Sequence, residues 1–171
     1  VLDQVVLRIA LLTAAPVLMV MTTPANAEVH VPPLPPNAAD TAVPPGRLMS
    51  EVVTRTNQQR DRNGCGQLAV DRELTEASVR QSLYMARTGF FSHVWRDGTT
   101  FVARSRAAGY RQPSGENIAW GYETADEVIE AWMASPSHRA NILNCDARSI
   151  GTGVVYGYNG IPYYTEVFGY Q

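Results

Sequence analysis

The chain has 171 residues, a formal net charge of −2 and two cysteines. That length suits one ordinary domain with a real core. A charge so near zero excludes the basic footprint of a nucleic-acid or acidic-membrane binder, and the basic residues, all arginine, form no cluster.

Residues 1–27 read as a secretory signal peptide. Arg8 supplies the basic start, Ile9 to Met21 is apolar apart from Thr13, and Ala25-Asn26-Ala27 fits small-x-small cleavage, so export would leave Glu28 first. The competing reading is a membrane anchor, but the run is short for a span and holds Pro16. No later stretch is apolar enough to be transmembrane, so the mature form is expected to be secreted without a span. Residues 28–46 carry six of the eleven prolines and no apolar periodicity, which predicts an extended linker. His30 falls there, away from any site.

The domain is expected over residues 47–171. A first helix starts near Arg47 with Leu48, Val52 and Thr56 on one face, and Asn63-Gly64 ends it. Asp71 caps a second helix whose stripe is Leu74, Ala77, Gln81 and Met85, closed by Gly89. Phe90-Phe91 packs the turn into Ser92-His93, and Asp97-Gly98 is a turn. A third helix runs from about Thr99 to Ala108, with Phe101 and Ala108 inward. Gly115 to Gly121 reads as a loop carrying Glu116 and Asn117 into a short buried strand at Ile118.

Thr124 and Glu127 form a capping box for a fourth helix with Val128, Ala131 and Trp132 inward. Glu123 and Asp126 belong to the start of that helix. Ser135-Pro136 opens a fifth, anchored by Ile142 and Leu143. Ile150–Tyr156 and Ile161–Phe168 are strands joined by the Gly157–Gly160 hairpin loop. These elements predict a small antiparallel sheet covered by helices in three layers.

Cys65 and Cys145 are an even pair in an exported chain and lack C-x-x-C spacing, which favours one disulfide over two free buried thiols. The candidate site gathers His93, Glu116 and His138. At N3 of the fifth helix, His138 meets unpaired N–H groups and the helix dipole, which should push its pKa down. A neutral imidazole can ligate a metal or accept a proton. Glu116 would hold a histidine N–H or a metal-bound water. Asn141, three residues after His138 on the same helix face, either serves that cleft or ties the helix to its neighbour. Arg139 should face away.

The order of the motifs adds a resemblance. Phe91-Ser92-His93, Asp97-Gly98, Ala108-Gly109-Tyr110, Gly115-Glu116-Asn117-Ile118-Ala119, the run Trp132 to Leu143, Ile150-Gly151-Thr152-Gly153 and Tyr163 to Gly169 follow one another as in the CAP superfamily. That family comprises the cysteine-rich secretory proteins, antigen 5 and pathogenesis-related 1, and its domain is also called SCP. The chain resembles the short bacterial secreted branch over about Arg47 to Tyr170. The resemblance implies an α+β fold, a three-layer α-β-α sandwich of the CAP type. It also implies a cleft tetrad of two histidines and two acidic residues that binds a divalent metal, often zinc, in several members. By motif these fall on His93, Glu116 and His138, while the second acidic place holds Ser135. Glu166, where relatives often show glutamine, is the candidate replacement, with Asn117 and Asn141 beside it.

The expected function is a non-enzymatic module that binds a weakly held divalent metal, with zinc favoured by its imidazole ligands. An apolar ligand, cell-wall component or protein partner would lie beside it. The alternative is a zinc hydrolase with a water activated by Glu116. A serine hydrolase through Ser92 or Ser137 is disfavoured, because no G-x-S-x-G elbow occurs.

Overall fold

A computed structural model describes residues 42–171. The expected signal peptide, His30 and most of the expected linker lie outside the described residues. Helix α1 spans Pro45–Arg62. It starts two residues inside the stretch assigned above to the linker, because Pro45 sits at N1, where its fixed φ and missing N–H suit a helix start. Val43 already packs against the core and accepts a 2.9 Å hydrogen bond from the Tyr156 hydroxyl. Core packing among the described residues therefore reaches back to Val43, inside the stretch read as linker.

The remaining elements are β1 (Ala69–Val70), α2 (Arg72–Thr88), α3 (Phe101–Ala107), β2 (Pro113–Trp120), α4 (Ala125–Ala134), α5 (Pro136–Ile142), β3 (Ser149–Tyr156) and β4 (Pro162–Gly169). The expected caps are present: Asp71 accepts from the Leu74 N–H, Gly89 is left-handed, and Thr124 with Glu127 forms the capping box. Asp126 pairs with Arg55. Ser135 takes the N-cap position of α5 without a side-chain capping bond.

The sheet has the order β1-β3-β4-β2. Its three long strands are antiparallel as expected, and the two-residue β1 adds a parallel edge beside β3. One face meets α1, α4 and α5; the other meets α2 and α3. Strand alternation sorts the residues. Ile150, Val154, Tyr164 and Phe168 join Leu48, Val52, Val128, Ile129, Trp132 and Ile142 in the main core. Val167, on the opposite face, packs with Leu74, Tyr110 and Phe101.

Gly151 and Gly153 let α2 lie directly on β3. A Cβ at these positions would come within 2.0 Å of the Leu74 backbone and 2.4 Å of the Ser78 backbone. The contact is completed by Ser78 and Ser82, whose hydroxyls each donate at 2.9 Å to the carbonyls of those two glycines. The Cys65–Cys145 disulfide is formed. Beside it the fully buried Arg60 guanidinium donates to the carbonyls of Gly66, Ile142, Asn144 and Ala147, clamping the ends of α1 and α5.

Three local expectations change. Glu116 and Asn117 lie within β2, which begins at Pro113, so they belong to a strand and not to a loop feeding one. Phe91 is 43% exposed and does not pack the turn. Helix α3 starts at Phe101, with Thr100 as its cap.

Candidate functional site

The site is built on β2, the edge strand. Its alternation turns Glu116 toward the α2–α3 layer and Asn117 toward the α1–α4–α5 layer, in register with Val167 and Glu166 of β4 respectively. Each of these two neighbours organises one histidine.

On the first side, the Ser92–Thr99 loop is pinned to α2. Gln81, fully buried, donates to the Ser92 carbonyl and accepts from the Trp95 indole N–H, each at 2.7 Å. Tyr84 stacks on Trp95 with ring centroids 4.7 Å apart, and its hydroxyl accepts from the Arg96 N–H. His93, half exposed, is thereby delivered to Glu116: its Nδ1 lies 2.9 Å from Glu116 Oε1. The other carboxylate oxygen takes a 2.6 Å hydrogen bond from Arg104 Nη2. The Glu116 and Arg104 side chains are 1% and 2% exposed. Both oxygens of Glu116 are thus engaged.

Arg104 is the residue that sequence reasoning missed. Its signal was present: it lies three residues after Phe101 and four before Ala108, on the inward face of α3. An arginine there is readily read as surface, since charged side chains are rarely buried unpaired.

On the second side, Asn117 Nδ2 donates to the His138 carbonyl at 3.1 Å and to Glu166 Oε1 at 3.0 Å. Asn117 Oδ1 accepts from Asn141 Nδ2 at 2.8 Å, and the same amide reaches the Glu116 carbonyl at 3.2 Å. The Trp132 indole donates to the Ile118 carbonyl. Two side chains from α4 and α5 thus cover the free edge of β2, which would otherwise offer unpaired acceptors. Asn141 ties α5 to the strand. Gly115 makes room for it, since a Cβ there would meet Asn141 Oδ1 at 2.5 Å.

Glu166 is fully buried and bonded by Thr56 Oγ1 at 2.9 Å as well as by Asn117. It backs Asn117 from the α1 side and offers no oxygen to the space around Glu116. Burial raises its pKa to about 7, against the two hydrogen bonds that pull it down.

The pKa of His138 is lowered, the direction expected, but the leading cause is burial and the second is repulsion from His93. A hollow of about 530 Å³ is lined by His93, Glu116, Ser114, Asn141 and the apolar Val94, Phe101 and Val102. A neighbouring hollow of about 260 Å³ holds His138 with Phe91, Trp120 and Trp132.

This donor set bears on the metal that the resemblance implies. Among the described residues no group of three or more His, Cys, Asp or Glu is arranged to hold an ion. The ligating atoms without a protein partner there are His93 Nε2 and the ring nitrogens of His138. A carboxylate holding the far nitrogen of a ligating histidine is the usual outer partner in such sites. His93 and His138 are the residues that would hold an ion, with Glu116 orienting His93, and no third ligand stands with them among the described residues. Neither candidate serine touches a histidine: Ser92 Oγ accepts from the Val94 N–H, and Ser137 meets Ser135.

The profile of the cysteine-rich secretory protein family, CAP, matches residues 53–168. The uncharacterized protein YkwD of Bacillus subtilis (strain 168) is 37% identical over 107 residues, covering 61% of this chain and 41% of that protein. The fold is similar to that of an extracellular protein containing a SCP domain from Bacillus anthracis str. Ames, with TM-score 0.69, 26% identity and coverage of 74% and 41%. It is also similar to that of an outer surface protein from Borrelia burgdorferi, with TM-score 0.66, 22% identity and coverage of 72% and 92%. The chain thus spans about two-fifths of the first two relatives.

Proposed function

The chain belongs to the cysteine-rich secretory protein (CAP) family, and on that premise we propose that it is an exported, non-enzymatic binding module. Its cleft presents His93 and His138 to a divalent metal, with an apolar or cell-wall ligand in the adjoining hollows. The observation that carries this reading is the bond from His93 Nδ1 to Glu116, which leaves Nε2 as the free donor. Zinc is the favoured ion because imidazole suits it better than magnesium or calcium. Bound there, it would supply Lewis acidity.

The hydrolase alternative asks Glu116 to act as a base toward water. Its side chain is nearly inaccessible and both oxygens are engaged, so it would first have to leave Arg104 or His93. An apolar or wall ligand is supported by the mixed lining of the larger hollow, where Val94, Phe101 and Val102 accompany His93, Ser114 and Asn141. Export is supported by the sequence of residues 1–27 and by the extracellular description of the Bacillus anthracis relative.

Zinc calorimetry on wild type, His93→Ala and His138→Ala tests the metal. Binding should weaken in both variants and below about pH 6.5. If both variants bind like wild type, the site lies elsewhere. A substrate screen with zinc present should show no turnover. Turnover that disappears in Glu116→Gln while zinc still binds would establish the hydrolase instead.

A further inference from the structure

We infer that Arg104 is the positioning residue of the cleft: through Glu116 it fixes which nitrogen of His93 carries the proton. Arg104 holds two segments in one register. Its Nη2 reaches Glu116 Oε2 at 2.6 Å and the His93 carbonyl at 3.1 Å, and its Nη1 reaches the Thr99 carbonyl at 3.0 Å. The guanidinium also lies over the Trp95 ring, 5.5 Å from its centroid. One planar group thus grips both ends of the Ser92–Thr99 loop and the carboxylate that the loop's histidine must meet.

The chemistry follows from the charge. A carboxylate that is 1% exposed needs a counter-charge to stay ionised, and Arg104, 2% exposed, supplies it. Ionised, Glu116 is only an acceptor, so the His93 Nδ1 facing it must carry the hydrogen. Nε2 is then left with its lone pair toward the cleft. Lysine could supply the charge but not the fork, since its single ammonium cannot span the Thr99 carbonyl and Glu116 together. Arg104 touches no ligand itself; it acts through Glu116.

The inference rests on reading His93 as the residue the cleft presents, and its test is made on metal-free protein so that it can fail separately. Ring-nitrogen NMR of the folded protein, at a pH where the imidazoles are neutral, reads the tautomers directly. In wild type, His93 should be held as the Nδ1–H form. In Arg104→Met the ratio of Nδ1–H to Nε2–H should fall about 10- to 100-fold, the equivalent of one charge-assisted hydrogen bond. Arg104→Lys should restore it in part, and His138 should not change in either. A role confined to stability would lower the melting temperature without moving the tautomer ratio. A folded Arg104→Met with the wild-type ratio overturns the inference, as does a wild-type His93 protonated on Nε2. Should Arg104→Met not fold, the guanidinium protons of wild-type Arg104 decide. Separate, slowly exchanging Nη signals are expected, and a freely averaged guanidinium overturns the proposal. Zinc affinity is measured in parallel: tautomer loss without zinc binding in any variant would sink the metal reading and leave this one standing.

Discussion

Replacing Glu166 by glutamine should stabilise the protein, and only at neutral and alkaline pH. Glu166 is fully buried between β4 and α1, with Thr56 on one oxygen and Asn117 on the other. Its carboxyl titrates near 7 in the fold against 4.5 for the ordinary side chain. Because the folded value is raised, its contribution is fully present below about pH 4.5 and is lost as pH rises through about 7. The difference corresponds to about 3 kcal/mol at pH 8. In Glu166→Gln the amide oxygen still accepts from Asn117, and the amide nitrogen faces Thr56 Oγ1, a hydroxyl that can rotate to accept. The volume is nearly unchanged, and the amide oxygen and nitrogen each keep a hydrogen-bond partner. Urea unfolding of both proteins at pH 4 and pH 8 should give a gain of up to about 3 kcal/mol at pH 8, or roughly 10 °C in Tm. At pH 4 the gain should be near zero. A variant that is less stable than wild type at pH 8, or whose gain is the same at both pH values, would refute the reasoning. Either result would mean that Glu166 is comfortably ionised where it sits.

Further outcomes follow from the packing and the charges. Thiol titration of the unreduced, unfolded protein should find no free thiol. Reduction of Cys65–Cys145, which closes a loop of 80 residues, should cost up to about 4.5 kcal/mol in chemical denaturation. Gly151→Ala places a Cβ 2.0 Å from the α2 backbone, which cannot give as a side chain would. It should cost at least about 3 kcal/mol or abolish folding, read by circular dichroism and melting. His138 should titrate by NMR below the 6.5 of a free imidazole, and its midpoint should rise when His93→Ala removes the second cause of the shift. Since that folded value is depressed, the stability tied to His138 is present above about pH 6.5 and is lost as pH falls through the folded value.

Much of the architecture was legible in the chain itself. Helix faces such as Leu48, Val52 and Thr56, the Asp71 and Thr124 caps and the β3–β4 hairpin follow from local periodicity and turn chemistry, which act within a few residues. The order of the motifs carried the family, and an even cysteine count without C-x-x-C spacing, in a chain read as exported, carried the disulfide. That Glu116 holds a histidine N–H was anticipated as one of its two roles, but which of the two histidines it meets was not. What the tertiary structure alone decided was which side of β2 each group occupies. A period of two puts Glu116 and Asn117 on opposite faces, and only the register with β4 and the packing of α1, α2 and α3 says which layer each face meets. Hence Glu166 is sealed against Thr56 and stands apart from the cleft, while Arg104 is drawn inside to answer a buried carboxylate. A buried charge is set by the partner that folding brings to it from far along the chain, and local sequence carries no record of that partner.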